Sequence, residues 1–167
     1  ETLVYSYQGR HEERETTTFA ASGVVHTADG ETEQIHFVGP NSGFLALAVN
    51  DNGQVDDGSE LFGTVTGNGF GELSLYDEDG NDFIDEEDSV YEGLRIWQKD
   101  AAANDRLIAL GEAGVGAIYL GSTMTPFQVK DDENELQGVV RSSGIYLKEE
   151  DGQPTGVGSV QQLDLVI

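Results

Sequence analysis

Cysteine is absent from the 167 residues. Disulfides, zinc–thiolate sites and cysteine nucleophiles are excluded with it. Basic residues are scarce: 8 Lys and Arg stand against 32 Asp and Glu, for a formal charge of -24. Nucleic acid and anionic membranes both require a positive footprint, so neither is an expected partner. No hydrophobic run approaches the roughly 18 residues of a membrane span, and membrane insertion is not expected. The opening residues ETLVYSYQGRHEERE do not read as a signal peptide, and a cleaved signal would leave no trace. Localisation is therefore open. It inclines to secreted or cell-surface, because extracellular calcium suits the non-ideal site described below. Catalytic motifs are missing as well. There is no G-x-S-x-G elbow, and Gly67-Asn68-Gly69-Phe70-Gly71 lacks both the dinucleotide spacing and the phosphate-loop lysine. His11, His26 and His36 form no metalloprotease pattern.

What is present can still build a core. Hydrophobic residues make up 37%, with 7 Phe, 6 Tyr and 1 Trp, so the chain is not an acidic disordered tail. Its length suits a single domain over 1–167. The negative charge strains the compact state by self-repulsion, and bound divalent cations would relieve it.

The densest acidic stretch is Asp77 to Asp88, DEDGNDFIDEED. Asp77, Asp79, Asn81, Asp85 and Asp88 fall at the side-chain positions of an EF-hand-type calcium loop, and Phe83 falls where a backbone carbonyl ligates. Calcium is a hard cation that takes six to eight oxygens, so one short loop must turn several carboxylates inward. Ile84 occupies the slot that usually faces the core. Two departures stand out: Asp82 replaces the usual turn glycine, and Asp88 is one methylene shorter than the usual closing Glu. The alternative is a solvated acidic turn that caps a helix. Magnesium is disfavoured because it resists shedding water.

Two degenerate loops flank this one. Asn50, Asn52, Gln54, Asp56 and Glu60 match ligating positions of a loop whose first position is Ala48, with Glu60 one residue late. Asp100, Asn104, Arg106 and Glu112 sketch a third, with Ala102 and Ile108 at positions that should ligate and Glu112 again one residue late.

Around these loops the pattern predicts an α+β fold, with antiparallel β segments at both termini flanking a helical middle. Residues 1–43 form the N-terminal β segment, with strands at Leu3–Tyr7, Ser22–Thr27 and Glu33–Val38 and a hairpin turn at Asp29-Gly30. Residues 44–120 form the calcium-loop helical region. Phe70, Leu73 and Tyr76 mark a helix before the acidic loop, Val90, Leu94 and Trp97 an exit helix of about three turns after it, and Leu107, Leu110 and Ala113 another. Residues 121–167 form the C-terminal β segment, with short strands at Phe127–Lys130, Gly138–Arg141 and Ile145–Lys148, a long turn from Glu150 and a last strand from Val160.

The segments GPNSGFLALAVNDNGQVDDGSELFG, GFGELSLYDEDGNDFIDEEDSVYEGLRIWQKDA and LGEAGVGAIYL together resemble a widespread family of uncharacterised bacterial proteins. Its members carry tandem EF-hand-like, dockerin-like calcium loops between β segments. The family pattern has Asp where this chain has Ala48, Gly where it has Asp82, and more residues between the Thr27-Ala28-Asp29-Gly30 turn and Ile35. The resemblance implies calcium binding and carries over no activity.

The expected function is a non-enzymatic calcium-binding module with Ca2+ as its cofactor, the metal ordering the loop at 77–88. The alternative is a calcium-dependent adhesion or recognition domain with a protein or glycan partner. A hydrolase with an acidic catalytic pair is a remote third, since so many carboxylates meet glycosidase spacing by chance.

Overall fold

The computed structural model describes residues 2–6, 19–26, 32–39, 42–47, 52–55, 58–100, 102 and 104–165. Its elements are almost all strands: β1 (Thr2–Ser6), β2 (Phe19–His26), β3 (Thr32–Val38), β4 (Ser42–Leu47), β5 (Phe83–Ile84), β6 (Leu94–Lys99), β7 (Asp105–Ala109), β8 (Val115–Tyr119), β9 (Thr123–Lys130), β10 (Leu136–Glu150) and β11 (Gln153–Leu165). Among the described residues the one α-helix is α1 (Gly69–Ser74), with single 3-10 turns at Gly58–Glu60 and Tyr91–Gly93.

Nine strands form one antiparallel sheet in the order β5-β8-β10-β11-β1-β4-β6-β7, with β9 also pairing to β10. The long β10 carries β9 on its first half and β8 on its second, along one edge, while β11 runs along the other. β1 lies between β11 and β4, so the first and last described strands are neighbours. β2 and β3 make a separate two-stranded hairpin.

Each side of the sheet carries its own apolar cluster. Leu45, Leu94, Ile96, Ile118, Tyr146 and Val160 lie on one side, under α1 residues Phe70 and Leu73. Phe44, Ala46, Trp97, Val140 and Leu163 lie on the other, packed with Phe37 of β3. The alternation of strand side chains sorts them: Phe44 pairs with Trp97 and Leu45 with Ile96, so successive residues serve opposite clusters. Each fully buried Leu, Ile or Phe contributes roughly 1.5–3 kcal/mol. Trp97 is edge-on to Phe37 at 4.9 Å between ring centroids.

The architecture corrects the α+β expectation: the fold is mostly antiparallel β, and there is no helical middle among the described residues. The exit helix built on Val90, Leu94 and Trp97 is replaced by one 3-10 turn that leads directly into β6. Because both sides of β6 are covered, apolar residues crowd the strand and imitate helical spacing. Leu107 likewise lies in β7, with Leu110 and Ala113 in the turn that follows. The two short strands expected over 138–148 are one continuous β10, and the long turn from Glu150 shrinks to Asp151-Gly152. The Asp29-Gly30 turn, Ala48, Asn50, Asp56 and His11 lie outside the described residues.

Candidate metal centre

The acidic loop hangs between α1 and the short β5. Asn68 caps α1, its Oδ1 accepting from the Gly71 N–H at 2.9 Å, which satisfies one of the free donors of the first turn. Phe70 and Leu73 anchor the helix in the core. After Tyr76 the chain enters the loop, and Asp77 curls it: its two oxygens accept from the N–H groups of Gly80 at 2.8 Å and Asp82 at 3.1 Å. Gly80 and Asp82 both take positive φ, 74° and 66°. That conformation is easy for glycine and tolerable for aspartate. So Asp82, the departure at the turn position, does adopt the left-handed backbone.

Asp79 accepts from the Asn81 backbone N–H at 3.0 Å and from Asn81 Nδ2 at 3.1 Å. The same Nδ2 donates to Asp85 Oδ2 at 3.1 Å, while Asn81 Oδ1 accepts from the Phe83 N–H. Phe83 and Ile84 then pair with Tyr119 and Ile118 of β8, which ties the loop to the sheet. Ile84 is fully buried. Asp85 turns the chain, accepting from the Glu87 N–H at 2.9 Å. Asp88 closes the loop. It is 1% exposed, and its oxygens accept from the N–H groups of Glu78 at 2.7 Å and Asp85 at 3.1 Å. A hydrogen bond from the Ser89 hydroxyl to Glu78 seals the same junction.

The result is a convergence. One carboxylate oxygen from each of Asp77, Asp79 and Asp88 lies within 4.8 Å of the other two. At that separation each pair repels by roughly 1 kcal/mol even with full water screening, and by more where Asp88 is buried. The hydrogen bonds described for the three carboxylates come from N–H groups of the loop itself, all uncharged. Asn81 and Asp85 adjoin the triad through Nδ2 of Asn81.

Among the described residues the weaker candidates form no such cluster, and Asn50 and Asp56 lie outside those residues. Asn52 Oδ1 accepts from the Gln54 N–H at 2.8 Å. Glu60 is 4% exposed and sits at the end of the 3-10 turn, in the wall of a cleft of about 270 Å³ that also involves Phe62, Val65, Glu72 and Leu75. Asp100 accepts from the N–H groups of Ala102 and Asn104 and from Asn104 Nδ2. It thereby shapes the β6–β7 hairpin turn. These bonds from Asn104, with that from Ala102 and the charge of Arg106, hold its carboxyl below the usual range. Arg106 lies in β7 and Glu112 beyond its far end, so an extended strand separates Glu112 from Asp100.

Two groups escaped the sequence reading. Burial would raise the pKa of Glu72, but hydrogen bonds from Gly63, the Thr66 hydroxyl and the Thr66 N–H outweigh it and hold the carboxyl below its ordinary value. Glu72 thus pins the loop over 63–66 to α1. Tyr91 donates its hydroxyl to the Val115 carbonyl at 2.5 Å. Burial, and then the charges of Glu86, Glu149 and Asp85, push that hydroxyl up to about 12. Both depend on contacts that local spacing does not announce.

Comparison with known proteins adds two findings. The model of the SPM domain matches residues 12–161. The chain is also similar to the iron-regulated protein FrpA of Neisseria meningitidis serogroup C, 31% identical over 114 residues. That alignment takes in 61% of this chain and 10% of the relative, so the chain corresponds to a small part of that protein's length. The resemblance to a family with tandem EF-hand-like, dockerin-like loops is overturned on both counts: the matching family is the SPM domain, and a strand stands where the second helix of such a loop would be.

Proposed function

The chain belongs to the SPM domain family, and from that premise we propose that its acidic loop is a divalent-cation site, best suited to calcium, that orders the junction between α1 and β5. The convergence of Asp77, Asp79 and Asp88 carries this reading. Three anionic oxygens held so close by neutral donors repel one another until a cation joins them. An all-oxygen donor set suits a hard ion. Half a turn of the Asn81 amide would bring its Oδ1 to the side where Nδ2 now stands, adding a neutral oxygen, and Asp85 is within reach of the same point. The Phe83 carbonyl is the remaining ligand the spacing names. The role is structural, with no catalytic step assigned to the ion.

Binding to the folded chain alone adds stability by mass action, about 2.7 kcal/mol at a hundredfold excess over Kd. For a domain of this size that is roughly 5–10 °C in Tm. Calcium titration by calorimetry, with melting curves in calcium and in chelator, is the test. The rise should vanish in Asp77→Ala and persist in Asp132→Ala, which alters an exposed carboxylate in the β9–β10 turn. Equal melting curves in the two buffers would refute the site.

A further inference from the structure

The sequence contains two Asn-Gly pairs, Asn52-Gly53 and Asn68-Gly69. Such a pair can react with itself. The glycine backbone nitrogen attacks the asparagine side-chain carbonyl carbon, a C–N bond forms, and the amide nitrogen leaves as ammonia with the proton that the glycine gives up. The cyclic imide that remains is opened by water at either carbonyl, which yields aspartate or isoaspartate. The balance is asparagine plus water to acid plus ammonia, and no further reactant is needed. Glycine favours the step because no Cβ shields its nitrogen and its backbone rotates freely.

The fold treats the two pairs differently. Asn68 is locked. Its Oδ1 holds the Gly71 N–H, its own N–H donates to the Thr66 hydroxyl at 3.3 Å, and its carbonyl accepts from the Glu72 N–H at 2.9 Å. The side chain lies so close over Gly71 that a Cβ there would come within 2.5 Å of Nδ2. Gly69 is buried at the start of α1. Closing the ring at Asn68 means giving up the helix cap. Asn52, Gly53 and Gln54 are all exposed, and Asn52 Oδ1 accepts from the Gln54 N–H at 2.8 Å, a bond within an exposed turn that starts no helix. Gly53 has φ 79°, and among the described residues nothing lies within 4 Å of where its Cβ would be.

We infer that Asn52 is a site of spontaneous deamidation in the folded protein, and that Asn68 is protected by its capping role. The reaction turns a neutral amide into a carboxylate in a stretch of sequence that already holds Asp51, Asp56 and Asp57. Where isoaspartate forms, it also lengthens the backbone by one carbon.

The test holds the purified folded protein at mildly alkaline pH and then digests it with a glutamate-specific protease. Cleavage after Glu60 places the two pairs on separate peptides for mass spectrometry. The peptide with Asn52 should gain both acid isomers, and that with Asn68 should lag by roughly fivefold or more, the factor that loss of one cap interaction represents. Asn52→Gln should abolish the faster change. In denaturant the two pairs should convert at similar rates, which would assign the difference to the fold. Equal rates in the folded protein, faster loss at Asn68, or an inert Asn52 in the folded protein when the denatured chain reacts would each overturn the inference.

Discussion

At the scale of single residues, Asp88 holds two positions at once. It is buried and accepts two backbone N–H groups, and it is also one of the three converging carboxylates. Asp88→Asn would set an amide N–H against one of those donors and leave it unmatched, at a cost of roughly 1–3 kcal/mol. Urea unfolding in chelator should therefore show Asp88→Asn destabilised, while the exposed Asp79→Asn stays within about 0.5 kcal/mol of the parent. Both should lose the gain from calcium. Tyr91 gives a second reading at this scale. An unfolded tyrosine ionises near about 10, and in the fold this one is held at about 12. The neutral form is thus favoured by folding, so the stability it contributes is complete below pH about 10 and is lost as pH climbs through about 12. Alkaline unfolding, followed with tyrosinate absorbance, should lose that component in Tyr91→Phe. The cluster of Asp77, Asp79 and Asp88 was legible in sequence because its carboxylates are neighbours on one short segment. Glu72 and Tyr91 were not, because their partners are set by how a loop folds over a helix and by a strand 24 residues away.

Among the elements, the β10–β11 hairpin is the largest single unit. Asp151 and Gly152 both take positive φ, 52° and 71°, which is the two-residue turn that matches the twist of paired strands. Gly152→Ala forces a Cβ into the left-handed region and should cost about 1–2 kcal/mol, read from thermal unfolding. The sequence carried the Asp-Gly signal, yet Pro154, Gly156 and Gly158 made the residues after it look like an extended turn. Gly158 in fact lies under Tyr146, where a Cβ would come within 2.0 Å of the ring. It is a packing glycine inside a strand. The helical middle failed for a related reason. In β6, neighbours such as Ile96 and Trp97 are buried on opposite sides of the sheet, so the alternation that marks a strand with one wet face is lost. The terminal strands were legible because turn residues punctuate them and the apolar positions of β11 alternate.

For the molecule as a whole, charge is unevenly spread. Residues 113–130, 136–148 and 152–163, which supply most of β8 to β11, contain no Asp or Glu. The carboxylates gather on the remaining segments, and their mutual repulsion opposes the compact state. Monovalent salt should therefore raise Tm by screening, since its Debye length falls to about 10 Å at 0.1 M. Melting curves across a sodium chloride series in chelator would measure this, and Asp77→Ala should respond to salt as the parent does. The pairing of β1 with β11 has a mechanical corollary. Thr2 faces Leu163 and Ser6 faces Ser159, so tension applied to the two ends of the chain opens that ladder from one end. Its hydrogen bonds then bear load one after another, as in a zipper, rather than together in shear, and under stretching this seam is where the domain yields first.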